Sequence, residues 1–458
     1  VKWTNEQITE ALLLQKQFDV SNNSWGSIGA FTDDFRSASH IMAYENIRIA
    51  VETGRDGLGT VFVFSAGNDR SGGDNTNYHN FQNTRETITV AATESDGSVA
   101  SFSTPGANIL VGAYGVGLMT TDRSGSLGLN KAPGGDGDYA SFTGTSAAAP
   151  VVSGVVALML EANPDLGYRD VQKILAYSAW HPSSEQWKAN GATDWNFGGL
   201  RFNSDLGYGV VDAHAAVRLA ETWVGQRTAF NEAFAGDRVL NLRTPVPDND
   251  ENGLVTTLTI DSHILMEHAK LTLDLAHTRW GDVVVELVSP DGTVSTLLDR
   301  PTATEARPFG LYGEYSGLPN RLYFDLGSVQ FMGEDAYGDW QLVVKDVVSG
   351  NDSGMLRGAS LTVYGESQTD DDLYILTDEF TVSGTEFVLR DESGADWINA
   401  SPLTSGAVIN LSDGVIDIGE RSVEIASWSV IENVATGDGD DVITGSDVDN
   451  ILLAGRGN

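Results

Sequence analysis

The sequence contains no cysteine, and this absence excludes disulfides, thiolate nucleophiles and zinc sites with cysteine ligands. Basic residues are also scarce: 27 Lys and Arg stand against 64 Asp and Glu, which gives a formal net charge of −37. Nucleic acids are held mainly by Lys and Arg side chains on phosphates, so this balance argues against a nucleic-acid partner. An acidic excess of this size suits calcium ions, cationic partners and high solubility.

Long apolar runs are absent as well. The longest, over 151–160, is interrupted by Ser153 and Gly154 and falls short of the roughly 18 residues of a membrane-spanning helix, so no membrane span is expected. No signal peptide is visible, the chain starts at Val1, and it stops inside a Gly-rich motif at Asn458. We therefore expect these 458 residues to be a piece of a longer protein.

The chain divides into three successive regions with different sequence patterns. Residues 1–224 alternate helical and strand patterns, which predicts an α/β domain with a parallel sheet. Residues 226–366 contain short alternating segments separated by turn residues, which predicts an antiparallel jelly roll or sandwich. The acidic stretch Glu366–Asp372 is predicted to be a linker, and residues 367–458 are β-rich and then rich in Gly and Asp.

Periodicity locates individual elements in the first two regions. The predicted helices cover 41–51 with Gly54 as C-cap, 151–161 and 169–178. The predicted strands cover 60–65, 87–92, 270–275, 282–288 and 356–364.

Ser146 is the first candidate for chemistry. It lies in Gly144–Pro150, immediately before an apolar helix. A helix N-terminus carries positive potential and free N–H groups, so a Ser hydroxyl there can attack while its own N–H faces the oxyanion that forms. An ordinary N-cap serine is the alternative interpretation of this segment taken alone.

Two further motifs follow predicted strands. Asn68 ends the segment Ser65–Asn68, where its amide could supply a second oxyanion donor or simply cap the strand. Ser24, Trp25 and Gly26 follow an earlier strand, and such an edge can bind a peptide as an added strand. Core packing is the alternative role for Trp25.

Together these three motifs occur in the order and spacing of subtilisin-like serine proteases, and Ser24-Trp25-Gly26 with the segment Leu206–His214 resembles the kexin/furin branch. The resemblance covers about residues 18–223. It implies that Ser146 is the nucleophile, that Asn68 and the Ser146 N–H form the oxyanion hole, and that Ser24, Trp25 and Gly26 line the substrate-binding edge.

Departures from the family pattern limit what this chain can do alone. In the family, the catalytic Asp and His precede the Ser-Trp-Gly motif, whereas no His precedes Ser24 in this sequence. His40 follows the motif and is interpreted as a residue at a helix start. The peptidase domain is therefore expected to be incomplete, lacking the Asp and His of the triad, and inactive by itself.

The specificity residues also depart from the pattern. Asp74 falls on a family calcium or pocket carboxylate, although a turn residue is an equally good interpretation. His79 falls where the acidic residue of the substrate pocket would be, and Gly29 and Thr104 replace two further acidic groups. Cleavage after dibasic sequences is therefore not expected.

The second region closely resembles the P domain of kexin-like proteases, through motifs such as Ala276–Asp282 and Gly338–Leu342. The resemblance implies a jelly roll that packs on the protease and stabilises it, with Asp282 near a calcium site. His277 and Trp280 are interpreted as packing and turn residues.

The tail fits a calcium-binding nonapeptide at 436–444 in all but its first position. Gly437 and Gly439 permit the tight turn, and Asp441 offers hard oxygen ligands for Ca²⁺. A degenerate second copy carries Asn450 in the ligand position, and the region resembles the lead-in to RTX β-rolls of exported bacterial proteins. This implies type I secretion, while a flexible Gly/Asp linker is the alternative.

These observations predict a secreted, extracellular bacterial serine endopeptidase with a polypeptide substrate and Ca²⁺ as cofactor. The competing hypothesis is a calcium-dependent adhesion or surface module whose protease-like domain is degenerate.

Overall fold

The computed structural model describes residues 4–130, 137–301, 321–350, 353–381, 388–391 and 393–457. Its helices are α1 (Asn5–Leu14), α2 (Ile41–Thr53), α3 (Asn80–Asn83), α4 (Thr145–Ala162), α5 (Tyr168–Ser178) and α6 (Ala213–Glu221). The strands of the first region are β1 (Val20–Asn23), β2 (Val61–Ser65), β3 (Thr87–Thr93), β4 (Ile109–Tyr114), β5 (Leu118–Thr121), β6 (Tyr139–Phe142), β7 (Lys188–Ala189) and β8 (Arg201–Phe202).

A parallel sheet of order β1-β2-β3-β4 organises the first region. Strands β2 and β3 are buried along their whole length, as expected for a parallel sheet covered on both faces. The predicted α/β architecture is confirmed, and so are the helices at 41–51 and 169–178. The helix predicted at 151–161 starts earlier than expected, at Thr145, so Ser146 lies in its first turn.

Helix α4 packs against the sheet and against α6. It is long and apolar enough to cross a membrane by length and composition. Val152, Val156 and Met159 are fully buried in the core of the first region, and this burial accounts for the apolar composition of the helix.

The second region is a pair of packed antiparallel sheets, as predicted. Its strands are β9 (Ala233–Val239), β10 (Thr244–Val246), β11 (Leu254–Ile260), β12 (Ile264–His277), β13 (Val283–Val288), β14 (Val294–Asp299), β15 (Arg321–Ser328), β16 (Gly338–Asp346) and β17 (Gly354–Ser367). One sheet has the order β10-β17-β12-β15 with β9 on β17, and the other has the order β11-β16-β13-β14. His277 and Trp280 are buried in this region, which fits the packing role predicted for them.

Buried ion pairs join the first two regions. Arg169 on α5 binds Glu267 on β12 through two N–O contacts of 2.6 and 2.8 Å, and it also donates to the carbonyl of Gly365. Glu366 pairs with Lys173 and with Arg227, each at 2.6 Å. The predicted linker at Glu366–Asp372 is therefore wrong at its start, since Glu366 belongs to β17 and is an anchor between the regions.

The tail is built from stacked short strands, namely β18 (Leu373–Ile375), β19 (Val388–Leu389), β20 (Trp397–Asn399), β21 (Ala407–Asn410), β22 (Val415–Ile418), β23 (Arg421–Ile425), β24 (Asn433–Ala435), β25 (Val442–Thr444) and β26 (Ile451–Leu453). Strands β18, β20, β24 and β26 form one parallel ladder. Asn433 pairs with Ile451, two nine-residue repeats further along the chain, while β25 lies between them in sequence and pairs in the other sheet. The chain thus alternates between two sheets, one repeat at a time.

Removal of the Arg169 guanidinium should strongly destabilise the protein. In Arg169→Met the carboxylate of Glu267 stays buried without its partner, and we expect the free energy of unfolding to fall by about 3–5 kcal/mol. The matched control is Arg48→Met, because Arg48 pairs with Glu45 and Glu52 on the half-exposed surface of α2; this variant should lose about 0–1 kcal/mol. Urea denaturation followed by tryptophan fluorescence measures both, and equal losses would contradict the role of the buried pair.

Candidate active site

One cavity of about 180 Å³ gathers the motifs that the sequence singled out. Its lining contains Ser24, Trp25, Gly26, Asn68, Asp74, His79 and Ser146. The segments after β1 and after β2 reach it from the carboxyl ends of two neighbouring parallel strands, which meet at the same edge of the sheet. The N-terminus of α4 closes the third side.

The backbone before Ser146 requires glycine. Gly144 is the N-cap of α4 with φ 143°, a region that residues with a side chain rarely adopt. The Ser146 N–H belongs to the first turn of the helix, where amide groups have no intrahelical acceptor. Within the residues that the structure describes, this N–H has no hydrogen-bond acceptor, so it remains available to a ligand at the cavity.

A hydrogen-bond network fixes the side chain of Asn68. Its Oδ1 accepts from the backbone N of Thr145 at 2.9 Å and from Thr145 Oγ1 at 3.1 Å. Thr145 Oγ1 in turn accepts from the backbone N of Gly67 at 3.1 Å. Because the oxygen of the amide is held by Thr145, its Nδ2 is left to donate elsewhere. The sequence motif contained Thr145, but its spacing alone gave no sign of this positioning role.

Pro150 explains how Ser24 is joined to the start of α4. Proline lacks an N–H, so Pro150 leaves the carbonyl of Ser146, four residues earlier, without its helical partner. Ser24 Oγ donates to that carbonyl at 3.0 Å. The end of β1 is thereby tied to the helix that carries Ser146.

Trp25 packs in the core and also borders the cavity. Its ring packs edge-on against Phe64 and Phe81, with centroids 5.3 and 4.9 Å away, and its Nε1 donates to Asn23. The residue also borders the cavity. Packing therefore holds the wall of the cavity in place.

Ser146 Oγ lies 3.5 Å from the carbonyl of Ser24. No histidine of the described residues is hydrogen-bonded to it. His40 is the N-cap of α2, and its Nδ1 contacts the hydroxyls of Ser37 and Ser39 instead. The cavity thus brings together a serine hydroxyl, an amide side chain and a helix N-terminus, and no histidine of the described residues contacts that hydroxyl.

The floor of the cavity carries His79 between two carboxylates. Its Nε2 lies 3.0 Å from Asp74 Oδ1, and its Nδ1 lies 3.6 Å from Asp33 Oδ1. Burial opposes the charged ring, but the two carboxylates outweigh it and raise the pKa of His79 to about 10. Asp33 was missed by the sequence argument, because it precedes α2 and only the fold brings it to His79. Thr104 lies nearby, and its Oγ1 accepts from the backbone N of Asp69.

Comparisons with known proteins assign the first two regions to a family. The profile of the subtilase family matches residues 1–209, and that of the proprotein convertase P-domain matches residues 266–363. The chain belongs to the kexin/furin-like subtilases with a P domain. The profile of the serralysin C-terminal region of M10 peptidases matches residues 355–456.

Individual relatives of this subtilase cover most of the chain. Human proprotein convertase subtilisin/kexin type 4 is 31% identical over 393 residues, which are 84% of this chain and 48% of the relative. Human furin is 30% identical over 379 residues, 80% of this chain and 44% of furin. The chain thus spans about half the length of these curated relatives.

The fold of this subtilase also matches a solved structure. The crystal structure of the serine protease of Aeromonas sobria with its chaperone aligns with a TM-score of 0.65 at 24% identity. The alignment covers 76% of this chain and 71% of the other. At this identity the likeness shows the fold.

In the tail of this subtilase, two carboxylates of the nonapeptide turn, those of Asp441 and Asp438, make different contacts. Asp441 Oδ1 accepts from the backbone N of Ala407 at 2.7 Å, whereas its buried Oδ2 has no hydrogen-bond partner. Asp438 pairs with Arg218 and His214 on α6, at 2.8 and 2.9 Å. Gly437 and Gly439 leave no room for a Cβ, which would come within 2.0 Å of Leu403 O and 2.2 Å of Gly406 N.

A second group of carboxylates was not found from the sequence. Oxygens of Asp372, Asp391 and Asp396 lie within 4.8 Å of one another. Asp396 is fully buried, and its Oδ2 has no hydrogen-bond partner. Burial and the neighbouring acidic groups raise the pKa of Asp396 to about 7. The feature of the sequence that could have indicated this group is a pair of acidic residues, Asp391 and Asp396, on either side of Gly394. The φ of Gly394 is 144°, which marks a turn.

The charge of His79 should make stability depend on pH. The unfolded His has a pKa of about 6.5, and the folded value is about 10. The stabilisation that protonated His79 contributes to the folded protein is therefore complete below pH ~6.5. It decreases by up to about 1.4 kcal/mol per pH unit above that value and is lost beyond pH ~10. We expect the free energy of unfolding to fall more steeply between these limits in the wild type than in His79→Gln, by urea denaturation at several pH values.

The control for this measurement is His263→Gln. His263 is exposed on the P domain beside Asp335, so this variant should keep the wild-type slope. Parallel slopes in the wild type and His79→Gln would show that His79 does not carry the extra proton.

Proposed function

We propose that this subtilase is a serine endopeptidase that hydrolyses peptide bonds through an acyl-enzyme on Ser146. The observation that carries the proposal is the convergence of Ser146, at the N-terminus of α4, with the Asn68 amide on one cavity. The wall formed by Ser24, Trp25 and Gly26 lies beside them, at the end of the edge strand β1. An extended peptide added at such an edge would present its carbonyl to Ser146.

In this mechanism Ser146 Oγ attacks the carbonyl carbon of the substrate. The carbonyl oxygen becomes an oxyanion, which accepts hydrogen bonds from the Ser146 N–H and from Asn68 Nδ2. The donors stand in place before the reaction, since Thr145 holds Asn68 and the helix backbone holds the N–H. Little reorganisation is then needed as negative charge develops.

The proton of Ser146 needs an acceptor that the described residues do not provide. A His and an orienting Asp from a segment outside this sequence complete the proposed enzyme, in the order that the family resemblance implies. The 458-residue chain alone is accordingly proposed to cleave peptides poorly. The proposed lack of a general base is compatible with an intact oxyanion hole, because the positions of the oxyanion donors do not depend on the base.

Substitution of the two site residues tests the mechanism in the full-length protein. Ser146→Ala should abolish cleavage and labelling by a fluorophosphonate. Asn68→Ala should lower kcat by about 10²–10³ with little change in KM, as the loss of one oxyanion donor does elsewhere. Asn252→Ala is the matched control, since Asn252 is exposed in a P-domain turn. Unchanged turnover in Ser146→Ala would refute the proposed nucleophile.

The tail is proposed to bind Ca²⁺. The unpartnered buried oxygens of Asp441 and Asp396 fit a hard cation, and the surrounding carboxylates and turn carbonyls are the ligands that Ca²⁺ prefers. Bound calcium would neutralise the acidic groups and hold the turns together. Asp74 was also considered a metal ligand, but its carboxylate is engaged by His79; a metal role for Asp74 remains a prediction.

An extracellular location is proposed for the whole protein, which we infer to be a secreted bacterial enzyme. The net charge of −37 favours solubility and argues against nucleic acid as a partner. Calcium sites of extracellular modules work at roughly 10⁻⁴–10⁻³ M, so the tail would be filled outside the cell. Export by a type I secretion system would be consistent with a tail that orders only there.

Calcium should stabilise the tail through Asp396. An excess of about 100 times the dissociation constant adds about 2.7 kcal/mol to the stability of a protein with one such site. We expect excess CaCl2 to raise the Tm of the wild type above its value in EDTA, and Asp396→Asn to lose most of this rise. Asp417→Asn, an exposed residue of β22, is the control. Equal rises in all three proteins, by circular dichroism melting, would contradict the site.

A further inference from the structure

The start of the tail is paired with the backbone of the first region. The N–H of Ile375, on β18, donates to the carbonyl of Asp194, and the N–H of Asn196 donates to the carbonyl of Ile375, both at 2.8 Å. Trp195, which lies between them, is thereby a parallel bridge partner of Ile375. Strand β18 is the outermost strand of the ladder β18-β20-β24-β26. Residues 194–196 therefore cover the backbone groups that its outer edge would otherwise expose.

A side chain of the same segment completes the core of the tail. Phe197 is 7% exposed and packs in one cluster with Tyr374, Leu376 and Phe380. Its ring centroid lies 5.7 Å from that of Phe380 and 6.0 Å from that of Tyr374. Among the residues that the structure describes, every other buried member of this cluster belongs to the tail. The core of the tail thus includes a side chain of the first region.

The tail in return holds the backbone of this segment. Asn196 and Phe197 have φ values of 50° and 55°, and a bulky side chain adopts this region only where its surroundings enforce it. The Asn196 amide exchanges two hydrogen bonds with Thr377. Its Oδ1 accepts from the backbone N–H at 2.8 Å, and its Nδ2 donates to Oγ1 at 2.9 Å. The segment and the start of the tail therefore fix each other.

A second contact between the tail and the first region lies at the end of α6. Thr222 Oγ1 donates to Ser401 Oγ at 2.9 Å and accepts from Asn399 Nδ2 at 3.0 Å. Ser401 and Asn399 are fully buried, and buried polar groups need hydrogen-bond partners. Asn399 ends β20, which pairs with β18 on one side and with β24 on the other. Helix α6 thus satisfies polar groups inside the ladder.

The same ladder leads to the nonapeptide turn. Strand β24 is followed directly by Thr436, the first residue of that turn. In folds built from stacked repeats, one repeat cannot bury its apolar face alone, so the terminal repeats need a cap. Residues 194–197 lie in the position of such a cap, at the outer edge of the first strand of the stack.

We propose that residues 194–197 cap the parallel ladder of the tail, and that the tail holds its folded, calcium-binding form only while it is docked on this cap and on α6. The partner that this surface of the first region fits is the tail of the same chain. The calcium part of the inference rests on the calcium sites proposed above, although the docking contacts named here use neither Asp396 nor Asp441. Docking and calcium binding are then linked equilibria, and each strengthens the other by the same factor.

Hydrogen exchange in the full-length protein tests the cap without any measurement of activity. Phe197→Ala should speed amide exchange in β20 and β24 at least about tenfold, because the loss of a buried phenylalanine leaves a large cavity. Strands β12 and β16 of the P domain should keep their wild-type rates. Phe230→Ala is the matched control, since Phe230 is 76% exposed, and it should leave exchange in the tail unchanged.

A second variant, Thr222→Val, keeps the test decisive if Phe197→Ala folds poorly. It removes the hydroxyl that Asn399 and Ser401 share, and it leaves the apolar core of the tail intact. Exchange in β20 should become at least about fivefold faster, because buried polar groups lose a partner. Wild-type exchange rates in the tails of both variants would show that the tail folds independently, and the inference would be overturned.

Calorimetry with CaCl2 separates the cap from the calcium sites. Phe197→Ala and Thr222→Val should bind calcium at least about fivefold more weakly than the wild type, although neither changes a proposed ligand. Phe230→Ala should bind it with the wild-type affinity. Equal affinities in the wild type and both docking variants would overturn the inference and leave the calcium sites intact. A wild type that binds no calcium, with faster tail exchange in the variants, would support the cap and count against the proposed calcium sites alone.

Discussion

The contacts at the N-terminus of α4 hold the site together. Thr145 donates its backbone N–H and its hydroxyl to Asn68, and Ser24 reaches the carbonyl that Pro150 leaves free. Each contact joins the helix to the end of a different strand of the parallel sheet. If these bonds were lost, Ser146 would stay on its helix, but the Asn68 amide and the segment after β1 would no longer be held beside it. The geometry of the cavity depends on this junction of α4 with the ends of β1 and β2 more than on Ser146 itself.

The P domain contacts the loop that forms the floor of the same cavity. Asn77 accepts from the backbone N of Gly327 at 2.7 Å, and Asn80 and Asn83 both donate to the carbonyl of Asp325. These three asparagines flank His79 in sequence, so the loop that forms the cavity floor is fixed by β15. Phe31 extends the contact, since its ring packs against Phe324 with centroids 5.1 Å apart. The second region thus contacts the first directly and fixes the loop at the floor of the cavity.

Much of this arrangement could be predicted from the sequence, because short motifs encode local backbone needs. Gly144, Ser146 and Asn68 each lie at the end of a strand or the start of a helix, where periodicity is readable. Other features depend on contacts between distant segments. Asp33 acquires its role through a buried contact with His79, Thr145 through Asn68, and Glu366 through Lys173 of the first region. No pattern within one segment contains such pairings.

The nonapeptide turn shows how the tail is connected to the rest. Asp441 points toward the turn of Ala407, inside the tail, while Asp438 points toward α6 and pairs with Arg218 and His214. The hydrogen bond from His214 and the charge of Arg218 lower the pKa of Asp438. Thr222 at the end of α6 adds hydrogen bonds to Asn399 and Ser401. Helix α6 in turn packs on α4, the helix that carries Ser146. Contacts through α6 therefore connect the turn in the tail with the helix that borders the cavity.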